Sequence, residues 1–143
     1  MLSTLAWEVN SLSIHLVRWA KRVDDALGVP PARLSALSVL VFGGDRTMRG
    51  LADAEMVSMA TMSHVVDGLE AMGLASRRPN PEDARSYIVR ATAKGRRLME
   101  RGRQARVDRL TTLLDRVPDD ELATVERALV LLRHALTEVS AAE

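Results

Sequence analysis

Residues 58–85 read SMATMSHVVDGLEAMGLASRRPNPEDAR, a pattern that predicts a short amphipathic helix followed by a basic hairpin. Ser58 is suited to cap the helix, and Gly73 is suited to the left-handed position that ends it. At about 100° per residue, the apolar side chains fall on one face. They are Met62, Val65, Val66, Leu69 and Met72. This order of elements is typical of a recognition helix with a wing.

The opposite side of this helix is expected to face outwards. Around its N-terminal half it carries small and polar side chains, which can approach base edges in a major groove. The free N–H groups of a helix N-terminus also favour an anion such as a phosphate. The candidate DNA contacts are Ser58, Ala60, Thr61, Ser63 and His64. The alternative is a solvated surface helix, which is common in soluble domains.

Residues 47–57 predict a second, shorter helix directly upstream. Thr47 is placed to cap it, and we expect Leu51, Ala52 and Met56 to point inwards before a tight turn. Two helices this close form a helix-turn-helix. Gly50 is unexpected here, because a glycine inside a helix costs about 1 kcal/mol relative to alanine.

Downstream, residues 86–90 form a β-branched and aromatic run that can pair with a strand around residues 76–78. The loop between them, 79–85, is rich in turn-forming residues. Asp83 and Arg85 are close enough in sequence to form an ion pair that holds the tip. The candidate DNA contacts in this hairpin are Arg77, Arg78, Asp83 and Arg85.

Charge is concentrated in the same region. Residues 75–106 contain ten Lys or Arg against three Asp or Glu, whereas the whole chain has a net charge of only +1. Local positive charge indicates phosphate binding. A solvated basic face is the alternative, but the coincidence with the hairpin favours duplex DNA.

Composition limits the other function classes. The chain has 143 residues and no cysteine, so a single domain is expected, without disulfides or thiol chemistry. No signal peptide and no apolar run of about 18 residues is visible, which predicts a soluble, cytoplasmic protein. The three histidines are far apart in sequence and lack metal-ligand spacing. We therefore expect no enzyme activity, catalytic residue, metal or cofactor.

Long amphipathic helices flank the DNA-binding region. Residues 2–27 predict one, residues 33–42 a shorter one, residues 92–116 another, and a last helix follows Pro118. The terminal helices carry apolar stripes without an obvious partner inside the chain, which predicts a twofold dimer. The expected interface residues are Leu5, Val9, Leu12, Leu129, Leu132, Leu136 and Val139. A helical adaptor that binds only proteins would explain these stripes but not the wing.

The region from Thr47 to Gly95 resembles the multiple antibiotic resistance regulator (MarR) family. The matching motifs are Leu51-Ala52, Ser58 to His64, Leu69-Glu70, Gly73-Leu74, Arg77-Arg78, Pro81-Glu82-Asp83-Ala84-Arg85 and Thr92-Ala93-Lys94-Gly95. The resemblance implies a homodimeric transcriptional regulator, usually a repressor that a small aromatic ligand releases from DNA. It also implies a ligand crevice, for which His15, Trp19 and Phe42 are candidates. His64 departs from the family pattern, where arginine is common.

The predicted fold is mainly α with a small β-hairpin: a winged helix-turn-helix core flanked by N- and C-terminal dimerisation helices. We expect one domain over residues 1–143. Within it, residues 31–92 would form the DNA-binding lobe, and residues 1–28 and 93–143 the helical dimerisation lobe.

Overall fold

A computed structural model describes residues 1–142, and over those residues the chain is mainly helical with a small sheet. The helices are α1 (Leu2–Lys21), α2 (Pro31–Gly43), α3 (Met48–Ala54), α4 (Met59–Ala71), α5 (Ala93–Leu114) and α6 (Leu122–Ser140). The strands are β1 (Arg46–Thr47), β2 (Ala75–Asn80) and β3 (Asp83–Ala91). Short 3₁₀ turns, Arg22–Leu27 and Asp119–Glu121, follow α1 and precede α6. The predicted fold class is confirmed.

The chain packs as two compact units, Met1–Arg106 and Val107–Glu143. The first contains the winged helix-turn-helix and its core. The second contains the end of α5 and the whole of α6, a helix on which no described residue is buried. The division into lobes at residues 31–92, 1–28 and 93–143 stays a prediction.

The hydrophobic core lies in the first unit, between the helix-turn-helix and the sheet. Its largest fully buried side chains are Leu37, Leu40, Leu51, Met62, Leu69, Leu74, Val66 and Val89. Burying a side chain of this size contributes roughly 1.5–3 kcal/mol. The inward face predicted for α4 supplies three of these residues, so the core fixes which face of that helix remains exposed.

Side-chain caps define both helices of the helix-turn-helix. The Thr47 hydroxyl accepts a hydrogen bond from the Gly50 N–H at 3.0 Å, and the Ser58 hydroxyl accepts one from the Thr61 N–H at 3.1 Å. A Cβ at position 50 would lie only 3.2 Å from the Thr47 hydroxyl oxygen. An alanine here would require the Thr47 hydroxyl to shift by a few tenths of an ångström, so the glycine leaves the cap uncrowded.

The turn between α3 and α4 differs from the prediction at Met56. We expected this side chain to point inwards, but it is 91% exposed and its φ is +53°. The left-handed backbone reverses the chain after α3 and directs the side chain away from the core. This conformation costs about 1–2 kcal/mol for a residue other than glycine.

The sheet has three strands in the order β1-β3-β2, one more than predicted. In β1, Arg46 pairs with Val89 and Thr47 with Ile88. The β2–β3 hairpin is also longer than the sequence indicated, since Asn80 still pairs with Asp83. The predicted 79–85 loop is therefore mostly strand, and only residues 81 and 82 form the turn.

The first predicted helix ends earlier than residue 27. The α-helix stops at Lys21 and continues as the 3₁₀ turn, and Gly28 then reverses the chain with a φ of +68°. Across residues 1–142 no single helix is long and apolar enough to span a membrane. One bent pair, Leu2–Leu27 with Pro31–Gly43 at 98°, passes by length and composition.

Candidate nucleic-acid interface

The N-terminal end of α4 is exposed and polar, as the sequence predicted. Ala60, Thr61 and His64 are exposed, and Ser63 is half-buried. The hydroxyls of Ser58 and Thr61 lie 2.9 Å apart and share a hydrogen bond. Met59 is an exception to the expected small and polar surface, because it is 43% exposed. This end can present hydroxyls, an imidazole and methyl groups to a groove.

No lysine or arginine lies on α4, whose charged residues are Asp67 and Glu70. Arg77, from the neighbouring strand β2, contacts both acids. Its Nη2 donates to the Asp67 carboxylate and, at 3.1 Å, to the carbonyl oxygen of Ser63. Its Nε lies 3.7 Å from Glu70 Oε2. The guanidinium, with its side chain 24% exposed, is therefore engaged inside the protein.

The next arginine along β2 points elsewhere. The Arg78 guanidinium lies 3.9 Å from the Asp45 carboxylate, and its side chain is 51% exposed. An exposed ion pair at this distance is worth about 0–1 kcal/mol. Arg78 can therefore turn towards a phosphate at little cost.

The tip of the hairpin is ordered by hydrogen bonds to the backbone. The Asn80 side chain accepts one from the Glu82 N–H at 3.1 Å, and the Asp83 carboxylate accepts one from the Arg85 N–H at 3.0 Å. The expected ion pair between Asp83 and the Arg85 guanidinium is wrong, because this carboxylate bonds to the backbone instead. Within residues 1–142 the Arg85 side chain forms no ion pair, and the residue is exposed.

The candidate ligand residues are not part of the cleft found in the first unit. A half-open cleft of about 410 Å³ lies in the first unit, between the 3₁₀ turn after α1, α2 and the first part of α5. It is lined by Lys21, Asp24, Asp25, Val29, Pro31, Leu34, Ser35, Ser38, Met99 and Arg106. His15, Trp19 and Phe42 are absent from this lining. The His15 Nδ1 lies 2.7 Å from the Ser11 carbonyl oxygen of its own helix, and Phe42 is 56% exposed.

Each terminal helix leaves its apolar stripe exposed. On α1, Leu5, Val9 and Leu12 are 55%, 46% and 59% exposed. On α6 the exposed stripe comprises Leu129, Leu132, Leu136 and Val139. Inside the second unit, a groove of about 440 Å³ runs along this helix. Among the described residues, no group of three or more His, Cys, Asp or Glu is placed to hold a metal ion.

Comparisons with known proteins agree with this geometry. The model of the MarR family matches residues 27–86. The HTH-type transcriptional regulator YdgJ of Bacillus subtilis (strain 168) is 25% identical over 120 residues, which cover 84% of this chain and 73% of YdgJ.

Many solved structures share the fold, and two of them serve as examples. The transcriptional regulator Tm0710 of Thermotoga maritima has a TM-score of 0.88 at 20% identity, covering 97% of this chain and 98% of its own. A mutant S. aureus MepR bound to an oligodeoxyribonucleotide has a TM-score of 0.72 at 19% identity, covering 92% and 97%. The named relatives are regulators, not enzymes, and the sequence-based recognition is confirmed.

Proposed function

We propose that this chain, whose residues 27–86 match the model of the MarR family and whose relatives include HTH-type transcriptional regulators, is a homodimeric repressor of a palindromic operator. The observation that carries the proposal is the pairing of two exposed elements in one small unit. The capped N-terminus of α4 offers neutral hydrogen-bonding groups, and a wing tip held by hydrogen bonds offers the Arg85 guanidinium. The first suits a major groove, and the second a narrow, electronegative minor groove.

The proposed contacts divide into two kinds. Ser58, Ala60, Thr61, Ser63 and His64 would read base edges, whereas Arg78 and Arg85 would bind phosphates or enter the minor groove. Base contacts carry sequence discrimination, and phosphate contacts carry the salt dependence of affinity. The turn held by Asp83 would set the position of Arg85.

A twofold dimer would place two such units on one operator. Its proposed interface is formed by the stripes of α1 and α6, whose leucines and valines are about half exposed or more. Exposed apolar stripes of this kind are typical of an interface between proteins. Two recognition helices related by a twofold axis require a pseudo-palindromic site with half-sites about one helical turn apart.

Release by a small aromatic ligand is the remaining part of the proposal. The cleft of about 410 Å³ falls within the size range of small-molecule sites. Its lining combines apolar residues, among them Val29, Leu34 and Met99, with charged ones such as Lys21 and Arg106. His15, Trp19 and Phe42 stay candidates for the ligand crevice that the family resemblance implies. Tryptophan fluorescence in a titration with an aromatic acid, compared between the parent protein and His15→Ala, tests these residues.

The test of DNA binding begins with selection of a duplex from a random-sequence library by the purified protein. Affinity for the selected duplex and for a scrambled duplex is then measured over a salt series. His64→Ala should lower affinity for the selected duplex by about 1–3 kcal/mol and leave scrambled DNA almost unchanged. Arg85→Ala should weaken both, and reduce the slope of log affinity against log salt by about one unit per half-site.

The outcomes separate the alternatives. A helical adaptor without specific DNA binding would enrich no sequence and show no steep salt dependence. If Arg85→Ala matches the parent protein on both duplexes at every salt concentration, the wing does not contact DNA.

A further inference from the structure

Arg77 connects the recognition helix to the base of the wing. Its Nη2 reaches the carbonyl of Ser63 and the carboxylate of Asp67, while its own backbone N–H donates to Glu70 Oε1 at 2.8 Å. Ser63, Asp67 and Glu70 lie at intervals of four and three residues, so they share one face of α4 over two turns. The contacts of this one strand residue are therefore spread over about 10 Å along the helix axis.

The surroundings of Arg77 distinguish it from the other arginines of the hairpin. Its side chain is 24% exposed, compared with 51% for Arg78, and Arg85 at the tip is exposed. In the register of the hairpin Arg77 lies opposite Val89, a fully buried core residue. The strand cannot shift at this point without disturbing the core, so the guanidinium is a fixed attachment point for α4.

Electrostatics explain why an arginine is needed there. Without Arg77, a helix meant to lie against phosphates would present two uncompensated carboxylates, Asp67 and Glu70. The Arg77 guanidinium compensates both charges, because Nη2 donates to Asp67 and Nε lies 3.7 Å from Glu70 Oε2, within ion-pair distance. A lysine would supply the charge but not the guanidinium fork.

We propose that Arg77 is a positioning residue that fixes the angle between α4 and the wing and so determines sequence discrimination, and that it does not bind phosphate. The inference rests on the proposed DNA-binding function. Under this proposal Arg77 is not one of the DNA contacts expected from the sequence. It also explains why an acid, Asp67, can lie on the recognition helix, since this carboxylate pairs with Arg77.

The decisive variants are Asp67→Asn and Arg77→Gln, which are close in size to the parent side chains, with Arg78→Gln as the matched control. The measured quantity is the ratio of affinities for the selected and scrambled duplexes. Asp67→Asn should lower this ratio about tenfold, although it removes a negative charge that would repel DNA. Arg77→Gln should lower the ratio similarly. The double variant should lower it no further than either single variant, because both changes break the same Arg77–Asp67 contact. Arg78→Gln should weaken both duplexes equally and leave the ratio unchanged.

A phosphate-binding Arg77 predicts a different pattern. Asp67→Asn would then release the guanidinium and strengthen binding to both duplexes, Arg77→Gln would weaken both, and neither would change the ratio. That result overturns the inference. Arg77→Lys adds a further test, because a phosphate contact tolerates lysine and the positioning role does not.

Hydrogen exchange of the DNA-free protein separates this inference from the proposed function. Faster exchange of the β2–β3 amides in both Asp67→Asn and Arg77→Gln supports the connection between helix and wing, and unchanged exchange refutes it. A parent protein that binds selected and scrambled duplexes equally refutes sequence-specific regulation instead.

Discussion

Replacement of Gly95 by alanine should destabilise the protein more than an ordinary helix substitution. Gly95 is buried in the first turn of α5. A Cβ there would overlap the carbonyl oxygen of Leu74 and lie 3.1 Å from Leu37 Cδ1. That carbonyl cannot move freely, because it accepts the Thr92 N–H at 3.0 Å, and the Leu74 N–H itself donates to Leu69 at 2.9 Å.

The magnitude follows from three contributions. Overpacking against backbone costs about 1–3 kcal/mol, and disturbing the Leu74–Thr92 hydrogen bond costs about 1 kcal/mol. The better helix propensity of alanine returns up to about 1 kcal/mol. We expect Gly95→Ala to lose about 2–3 kcal/mol of unfolding free energy, and its melting temperature to fall by roughly 6–9 °C.

Urea unfolding followed by circular dichroism, at one protein concentration, measures this loss. Gly43→Ala is the matched control, because its Cβ would meet only the flexible end of the Arg46 side chain, at 3.0 Å. The control should stay within about 0.5 kcal/mol of the parent. A Gly95→Ala protein as stable as the control would refute the close-approach argument for this glycine.

Three further predictions concern single contacts. Met56→Gly should raise the unfolding free energy by about 0.5–1 kcal/mol in urea unfolding, because it relieves the left-handed backbone and removes no buried side chain. A lower stability would contradict it. Thr47→Ala should lower stability by about 1 kcal/mol through loss of the α3 cap, with an unchanged salt slope of DNA binding; an altered slope would make Thr47 a phosphate contact. Leu132→Glu should give a monomer in light scattering at micromolar concentration, whereas Glu138→Gln, on the same helix, should not. A dimeric Leu132→Glu protein would exclude this stripe from the interface.

The helix-turn-helix could be predicted because its signals are local. Hydroxyl caps at Thr47 and Ser58 and the apolar face of α4 depend on residues within a few positions of each other, and sequence periodicity records such relations directly. The positive φ at Gly73 also follows from its place after the helix.

The features that sequence reasoning missed depend on residues far apart in the chain. The two-residue strand β1 exists because β3 offers it a free edge, and two residues carry no periodicity. The sequence does not distinguish Arg77 from its neighbour Arg78. Only the fold, which places α4 beside β2, gives Arg77 its partners on the helix. Met56 has the hydrophobicity of a core residue, but the turn geometry decides its direction.

Some of the basic side chains in residues 75–106 are paired with acids inside the protein. Arg106 pairs with Asp24, and the two side chains are only 25% and 16% exposed, so this cation joins α5 to the 3₁₀ turn after α1. Arg77 is likewise used internally. The net positive charge of residues 75–106 is therefore larger than the positive charge that is available to bind DNA.

Because some cations are paired internally, affinity and specificity depend on different elements in the proposed complex. Because α4 carries no lysine or arginine and its acids are paired with Arg77, the side chains of this helix offer little positive charge to phosphates. Base reading would then depend on neutral groups such as Thr61 and His64, whose hydrogen bonds respond weakly to salt. The salt-dependent part of the affinity would come from the wing, where Arg85 is an exposed cation at the tip. Raising the salt concentration should thus weaken binding to all sequences while preserving most of the preference for the operator, since each term resides on a different element.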